Sequence, residues 1–135
     1  MSRKDISVYV LDRNLNRTVL EPEDGDLKPF IKLLSEREYN VVAEESLRRD
    51  LREFDLLVLH PPHYSINMLY RFHRESPQIP LLFCSGAIIR GKRVDSSLMK
   101  DDDGNYIATT HRPEELLRIV EYLLYEKTKV SQKSL

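Results

Sequence analysis

The sequence lacks several features that would place it in a broad functional class. It has only one cysteine and four glycines, and its 21 Lys and Arg residues are nearly balanced by 22 Asp and Glu residues. A single cysteine excludes an internal disulfide framework and is typical of a reducing compartment. The balanced charge gives no overall attraction to nucleic acid or to an acidic membrane surface. The apolar runs are far shorter than a membrane span.

Two further absences concern nucleotide binding and export. No glycine-rich segment follows the first apolar run, so the sequence does not predict a phosphate-binding loop. The N-terminal residues lead directly into a strand pattern without a cleavable apolar segment, so we do not expect secretion. We therefore expect a cytoplasmic protein that uses no cofactor and no metal, and that binds neither nucleic acid nor membranes.

The length and the hydrophobic pattern predict one α/β domain. The chain of 135 residues is long enough for a single core. We assign residues 1–126 to this domain and residues 127–135 to a short basic tail. Apolar runs of strand length alternate with segments of helical period, which predicts a parallel sheet with helices on both faces. The predicted strands cover 6–11, 40–44, 55–60, 81–86 and 105–110, and the predicted helices cover 26–38, 46–54, 65–75 and 113–124.

Two polar segments between these elements have no clear period. Residues 13–26 are predicted to form an extended loop, with at most a short strand at 18–20. Residues 87–104 have at most a weak turn of helix at 95–99. We interpret the run 101-DDDG-104 as a solvated turn and not as a cation site, because it lacks the spaced ligands of a calcium loop.

The predicted strand order brings several polar residues to one edge of the sheet. We expect a flavodoxin-like three-layer sandwich whose five parallel strands lie in the order 2-1-3-4-5. In this order the loops after strands 1, 3, 4 and 5 meet at the carboxyl edge, where such folds place their binding sites. The residues at that edge would be Asp12, His60, Ser85 and Thr109.

The chain resembles the receiver domains of two-component response regulators over nearly its whole length. The resemblance depends on the order of elements and on 54-FDLLVLHPPHYS-65, which stands where a receiver has its phosphoacceptor strand. It also depends on 106-YIATTHRPEELLRIVEYLL-124, which is similar to the stretch that ends a receiver, with Tyr106 as its aromatic residue. The resemblance implies a role in signal transduction within a two-component system.

The same resemblance fails at the residues that carry receiver chemistry. A receiver binds magnesium through two adjacent acidic residues after strand 1, but here Arg13 follows Asp12. His60 replaces the phosphoacceptor aspartate, Thr109 replaces the lysine, and only Ser85 keeps the expected hydroxyl. Mg²⁺ needs oxygen ligands, and phosphoryl transfer needs positioned positive charge. The resemblance therefore implies a pseudo-receiver that is not an enzyme and that works without phosphorylation.

His60 allows three interpretations. The one we favour is a neutral imidazole that ends a buried strand and bonds to Ser85, Thr109 or a backbone carbonyl. The others are a phosphate acceptor and a pH-sensing group. A metal site formed with His63 is disfavoured, because the two side chains would have to converge across the turn at 61-PP-62.

The alternative function is a small-molecule-binding or hydrolytic domain that uses the pocket at the carboxyl edge. Cys84 with His111 and Glu114 resembles the cysteine, histidine and glutamate of class I glutamine-amidotransferase-like folds. Cys84 would then be the nucleophile. The competing interpretation is that a lone cysteine on a strand is a small apolar filler of the core.

The resemblance also implies a surface for protein partners, since receivers commonly bind through helix 4, strand 5 and helix 5. Aromatic and Arg side chains suit such a surface. An alternative interpretation is that the tyrosines of the last helix merely flank its core stripe. We expect a stand-alone module whose partners are proteins, such as a signalling kinase or an output protein, and a homodimer is compatible with this surface. The residues of the expected partner face are Met99, Tyr106, Ile107, Arg112, Arg118, Tyr122 and Tyr125.

Overall fold

In the residues that it describes, the computed structural model defines one sheet of seven strands and three helices. It describes residues 5–16, 27–60, 66–84, 92–95, 97–102, 104–110 and 112–133. The strands are β1 Ser7–Asp12, β2 Asn40–Glu44, β3 Leu56–His60, β4 Leu81–Cys84, β5 Lys92–Asp95, β6 Leu98–Lys100 and β7 Tyr106–Ala108. The helices are α1 Lys28–Glu36, α2 Ile66–Glu75 and α3 Pro113–Lys133.

The sheet is mostly parallel, which confirms the predicted α/β class. Its order is β2-β1-β3-β4-β7-β6-β5. The pairs from β2 to β7 are parallel, whereas β6 and β5 are antiparallel additions beyond β7. The prediction of a five-stranded sheet is therefore wrong in strand number. The two missed strands lie in 87–104, where only a weak helical turn was expected, because β5 is exposed along its whole length and has no apolar alternation.

Each face of the sheet has its own core, so the fold has three layers. On one face, Val8, Val10 and Val58 pack against α1 and α3. On the other face, Leu57 and Leu59 pack against Leu69 of α2 and against the segment that precedes β3. All five residues of β3 are buried, as expected for the centre of a parallel sheet.

Helix α1 begins and ends within two residues of its predicted limits. Its buried stripe includes Phe30 and Leu34, and Pro29 occupies its first turn, where a missing N–H costs nothing. The helix ends before Glu38, whose φ of 70° is left-handed and incompatible with a further helical turn. Asp26, where the predicted helix begins, lies outside the described residues.

The helix predicted at 46–54 does not form. The Tyr9 hydroxyl donates to the Ser46 carbonyl at 3.2 Å and accepts the Arg48 amide at 3.3 Å. These bonds tie the backbone to a strand side chain and compete with helical bonds. Leu51 and Phe54 are nevertheless buried, and they reach the core from an irregular segment.

Helix α3 continues to Lys133, well past the end predicted at 124. Glu114 and Glu115 lie in its first turn, where their charge favours the positive end of the helix dipole. Its buried residues follow a helical period and join the core shared with α1. They are Leu116, Leu117, Ile119, Val120 and Leu123.

Candidate functional site

Asp12 and His60 meet at the carboxyl edge of the sheet. They end the neighbouring strands β1 and β3 and stand directly opposite each other in the parallel register. Nδ1 of His60 lies 3.5 Å from Oδ1 of Asp12. This distance is long for a hydrogen bond, so the attraction is mainly electrostatic and strengthens when the imidazole is protonated. Asp12 is fully buried and His60 is only 7% exposed.

The Asp12 carboxylate also holds the backbone around it. Oδ1 accepts the amide of Asn14 at 2.9 Å, and Oδ2 accepts the amide of Leu27 at 3.3 Å. Leu27 immediately precedes α1, so one carboxylate fixes both the turn after β1 and the start of the helix. Both carboxylate oxygens are therefore used inside the fold.

These contacts determine the ionisation of Asp12. Burial acts to raise the pKa of Asp12, because it removes the charged form from water. The contact with His60 and the amides of Asn14 and Leu27 stabilise the carboxylate, and together they lower the pKa below its ordinary value. Asp12 is consequently a carboxylate at neutral pH, and two backbone amides stabilise its negative charge.

Cys84 ends β4 on the same face of the sheet as Val10 and Val58, and it is only 2% exposed. Burial, helped by the negative charge of Asp12, raises the pKa of the Cys84 thiol to about 12. A thiol with this pKa is almost entirely protonated at neutral pH and is a poor nucleophile. Its predicted partner His111 lies outside the described residues. The environment of Cys84 favours the interpretation as a core filler.

Two other residues that were predicted near this edge, Thr109 and Arg13, are among the described residues. Thr109 is exposed, and its amide donates to the Ser97 carbonyl at 3.0 Å, which joins the end of β7 to the start of β6. Ser85 and His63 lie outside the described residues. Arg13 follows Asp12 and is half-buried, with its amide bonded to the His60 carbonyl at 3.1 Å.

Sequence reasoning missed two buried polar residues near this edge. Asn14 is buried beside Asp12. Its position shortly after the first predicted strand could have indicated that it lies at the carboxyl edge. The Ser97 hydroxyl lies 3.4 Å from Oε2 of Glu115. Ser97 could not be recognised because the strand that it precedes was not predicted.

Of the run 101–104, Asp101, Asp102 and Gly104 are described, and the Gly104 amide donates to the Asp101 carbonyl at 3.2 Å, as in a turn. The Asp101 carboxylate accepts the Asn105 amide at 2.8 Å and its side-chain amide at 3.3 Å. Gly104 has φ of 87°, a left-handed conformation that glycine adopts without strain. The Asp101 carboxylate thus closes the link between β6 and β7.

The predicted partner face is divided between the two sides of the sheet. Ile107 is only 2% exposed and packs in the core on the α2 side, with Met99 partly buried beside it. Tyr106 packs at the border of the opposite core, on the side of α3. Ile107 therefore cannot serve as a surface residue. The residues of the set that are exposed all lie at or along α3, namely Arg112, Arg118, Tyr122 and Tyr125.

Strand β5 extends this exposed part of the surface. Nη1 of Arg118 lies 2.8 Å from Oδ2 of Asp95, which links α3 to the edge strand. Val94 is 42% exposed, and Tyr122 is 39% exposed. A shallow groove runs between the strand and the helix. It is lined by Val94, Asp95, Leu98, Arg118, Ile119 and Tyr122.

In the described part of the chain, no group of three or more His, Cys, Asp or Glu side chains is arranged to hold a metal ion. None of the described helices has both the length and the apolar character needed to cross a membrane. No protein-family model, curated protein or solved structure matched the chain. The fold and the side-chain geometry are therefore the basis for inferring function.

Proposed function

We propose that the chain is a pseudo-receiver, a flavodoxin-like signalling module that acts through protein–protein contacts and without phosphorylation. The observation that carries this proposal is the Asp12–His60 pair at the carboxyl edge. In a receiver this place would hold a magnesium-binding acid and a phosphoacceptor. Here both side chains are buried, and the Asp12 carboxylate accepts the backbone amides of Asn14 and Leu27.

The strand order supports the finer part of the proposed fold. The parallel strands β2-β1-β3-β4-β7 correspond to the order 2-1-3-4-5 when the parallel strands alone are numbered. Strands β5 and β6 then form a hairpin inserted between the fourth and fifth parallel strands in the chain. It extends the sheet at its edge, beyond β7, and leaves the carboxyl edge of the parallel strands unchanged.

The contacts of Asp12 disfavour phosphoryl uptake. A magnesium ion would have to compete with the amides of Asn14 and Leu27 for the carboxylate oxygens. Arg13 supplies a positive charge where the second acid would stand, and this charge would oppose the binding of a magnesium ion. Phosphoryl transfer without a metal or a positioned lysine has no stabilisation for the transferring charge.

The exposed side chains on α3 support binding to a protein. Tyr125 is 64% exposed, and Tyr122 and Arg118 follow the same surface of the helix. Tyr and Arg are enriched where interfaces carry most of their binding energy. The α3 surface is thus the preferred contact region of the proposed module.

Affinity capture with variants of the chain tests the proposal. A true partner should be recovered with the wild type, and its recovery should fall by at least about tenfold with Tyr122→Ser/Tyr125→Ser. Met68→Ser is the matched control, because Met68 is also exposed but lies on α2. Recovery should not change when acetyl phosphate and Mg²⁺ are added. A partner that needs acetyl phosphate, or that the tyrosine variant still binds, would contradict the proposal.

A further inference from the structure

The segment 46–54, which lies between β2 and β3, has a helical sequence pattern but an irregular backbone. Leu47, Leu51 and Phe54 recur at helical spacing, and Ser46 is a favourable N-cap residue. All nine residues are described and none is helical. Within the segment, the Phe54 amide donates to the Leu51 carbonyl at 3.2 Å. The local sequence and the observed backbone therefore disagree, as is expected at strained or functional places in a fold.

The Tyr9 hydroxyl holds the start of the segment. It donates to the Ser46 carbonyl at 3.2 Å and accepts the Arg48 amide at 3.3 Å. Burial raises the pKa of Tyr9 to about 12, so at neutral pH the hydroxyl keeps the proton that it donates. In a helix that begins after Ser46, the Ser46 carbonyl would accept the amide of Asp50. The bonds to Tyr9 therefore compete with the first turn of a helix.

A second side chain holds the middle of the segment. Oδ1 of Asp50 accepts the Arg52 amide at 3.0 Å. In a helix this amide would instead donate to the Arg48 carbonyl, so the side-chain bond replaces a helical bond. A helix of nine residues is marginal by itself. A few bonds of this kind are therefore enough to decide which backbone conformation the segment adopts.

The irregular backbone buries the same side chains that a helix would bury. Leu51 and Phe54 are 2% and 3% exposed, and Leu47 packs against the same core. Because these three residues lie at helical spacing, a helix presents all of them to that core. The ring centroids of Phe54 and Tyr9 are 5.0 Å apart, a contact that does not need the hydroxyl. The hydrophobic contribution is thus similar in the two conformations, and the polar bonds select between them.

From these observations we propose that the segment 46–54 is a conformational switch, which the Tyr9 hydroxyl holds in its irregular state. When the bonds of this hydroxyl break, the segment forms a helix that keeps Leu51 and Phe54 in the core and rearranges the exposed charges around Arg49. The segment packs on the opposite face of the sheet from α3. The inference therefore goes beyond the proposed function and does not depend on it.

Removal of the hydroxyl alone tests the switch. Tyr9→Phe keeps the ring contact with Phe54 and removes both hydroxyl bonds. NMR Cα shifts and amide exchange of the labelled protein report the backbone of residues 47–53. We expect non-helical shifts in the wild type, and in Tyr9→Phe a change towards helical values with slower amide exchange. Tyr125→Phe removes the same hydroxyl from an exposed position on α3 and should leave the segment as in the wild type.

Two further variants distinguish a helix from a loosened loop. Tyr9→Phe/Arg49→Gly should lower the ratio of helical to irregular segment by about fourfold relative to Tyr9→Phe, because glycine disfavours an exposed helical position. Asp50→Ala removes the acceptor of the Arg52 amide and introduces a better helix former. It should raise the same ratio by about tenfold relative to the wild type. Because Asp50 is exposed, this variant tests the switch even if Tyr9→Phe does not fold.

The switch is wrong if residues 47–53 keep their wild-type shifts in both Asp50→Ala and Tyr9→Phe, or in Asp50→Ala alone when Tyr9→Phe is unfolded. It is also wrong if the segment of Tyr9→Phe loses its order without helical shifts, or if Tyr125→Phe changes the segment equally. None of these measurements uses a partner. A failure of the switch therefore leaves the proposed function standing, and a failure of partner capture leaves the switch standing.

Discussion

The carboxyl edge of the sheet and the edge formed by β5 and α3 use polar residues in opposite ways. At the carboxyl edge, Asp12 and His60 are buried, and the Asp12 carboxylate binds two backbone amides of the fold. At the other edge, Lys92, Arg118 and Tyr125 are exposed. A place in the fold that commonly holds a binding site therefore has a structural role here, and the proposed binding surface lies where charged and aromatic side chains are exposed.

The largest expected effect is the loss of stability in Asp12→Ala. The change leaves two backbone amides and His60 without their buried acceptor, so we expect a loss of about 3 kcal/mol in the free energy of unfolding. Urea denaturation followed by circular dichroism measures it. Asp50→Ala is the control, since Asp50 pairs with Arg52 on the surface and should leave stability unchanged. Equal stability of the wild type and Asp12→Ala would show that the carboxylate is not structural.

Alkylation of Cys84 distinguishes a buried structural cysteine from the nucleophile of a hydrolytic site. The buried thiol, whose pKa is raised to about 12, should react with iodoacetamide at neutral pH about a hundredfold slower in the folded protein than in urea. Mass spectrometry of timed samples gives both rates. Rapid labelling of the native protein would instead support the nucleophile interpretation of Cys84.

The pH dependence of stability should show the contribution of Asp12. Because the folded pKa of Asp12 lies below its unfolded value, its contribution is fully present above about pH 4 and is lost as the pH falls through the folded pKa. The difference in unfolding free energy between the wild type and Asp12→Asn should therefore shrink below about pH 4. Denaturation curves from neutral to acidic pH measure this difference, and a constant difference across the range would refute the assignment.

The smallest expected effect on stability is at the exposed edge. Tyr125→Ser removes a side chain that is 64% exposed, so the free energy of unfolding should change by at most about 0.5 kcal/mol. Thermal or urea denaturation measures it, and Leu117→Ser, at a buried position of the same helix, should cost several times more. A large loss for Tyr125→Ser would mean that this tyrosine belongs to the core and not to a binding surface.

The difference between the two edges also explains what the sequence could predict. The buried strands were predictable because β1, β3 and β4 are continuous apolar runs, and parallel pairing then placed Asp12 beside His60. Strands β5 and β6 were not predictable from the sequence. Their strand conformation depends on the pairing of β5 with β6 and of β6 with β7, and not on a local hydrophobic pattern. The helix at 46–54 was predicted wrongly because the bonds from Tyr9 are distant in sequence and have no local pattern.

The partner face shows the same limit at the level of single residues. Arg118 and Tyr122 were predicted from the resemblance to receiver domains, but their neighbours Val94 and Asp95 could be assigned only once β5 was known. Ile107 was assigned to the surface although it packs in the core on the opposite side of the sheet. Which side of a short strand is covered depends on the whole sheet, and three residues are too few for a period.

The most direct test of the central claim is an amide NMR titration of the labelled wild-type protein with Mg²⁺ and beryllofluoride, an analogue of a phosphoryl group. The positive control is Arg13→Asp/His60→Asp/Thr109→Lys, which restores the residue types of a receiver. We predict no saturable shift at Asp12, His60 or Tyr106 in the wild type, and shifts at these positions in the control. Saturable shifts at the carboxyl edge of the wild type would contradict the account, because they would show that this edge still binds a metal and a phosphoryl analogue.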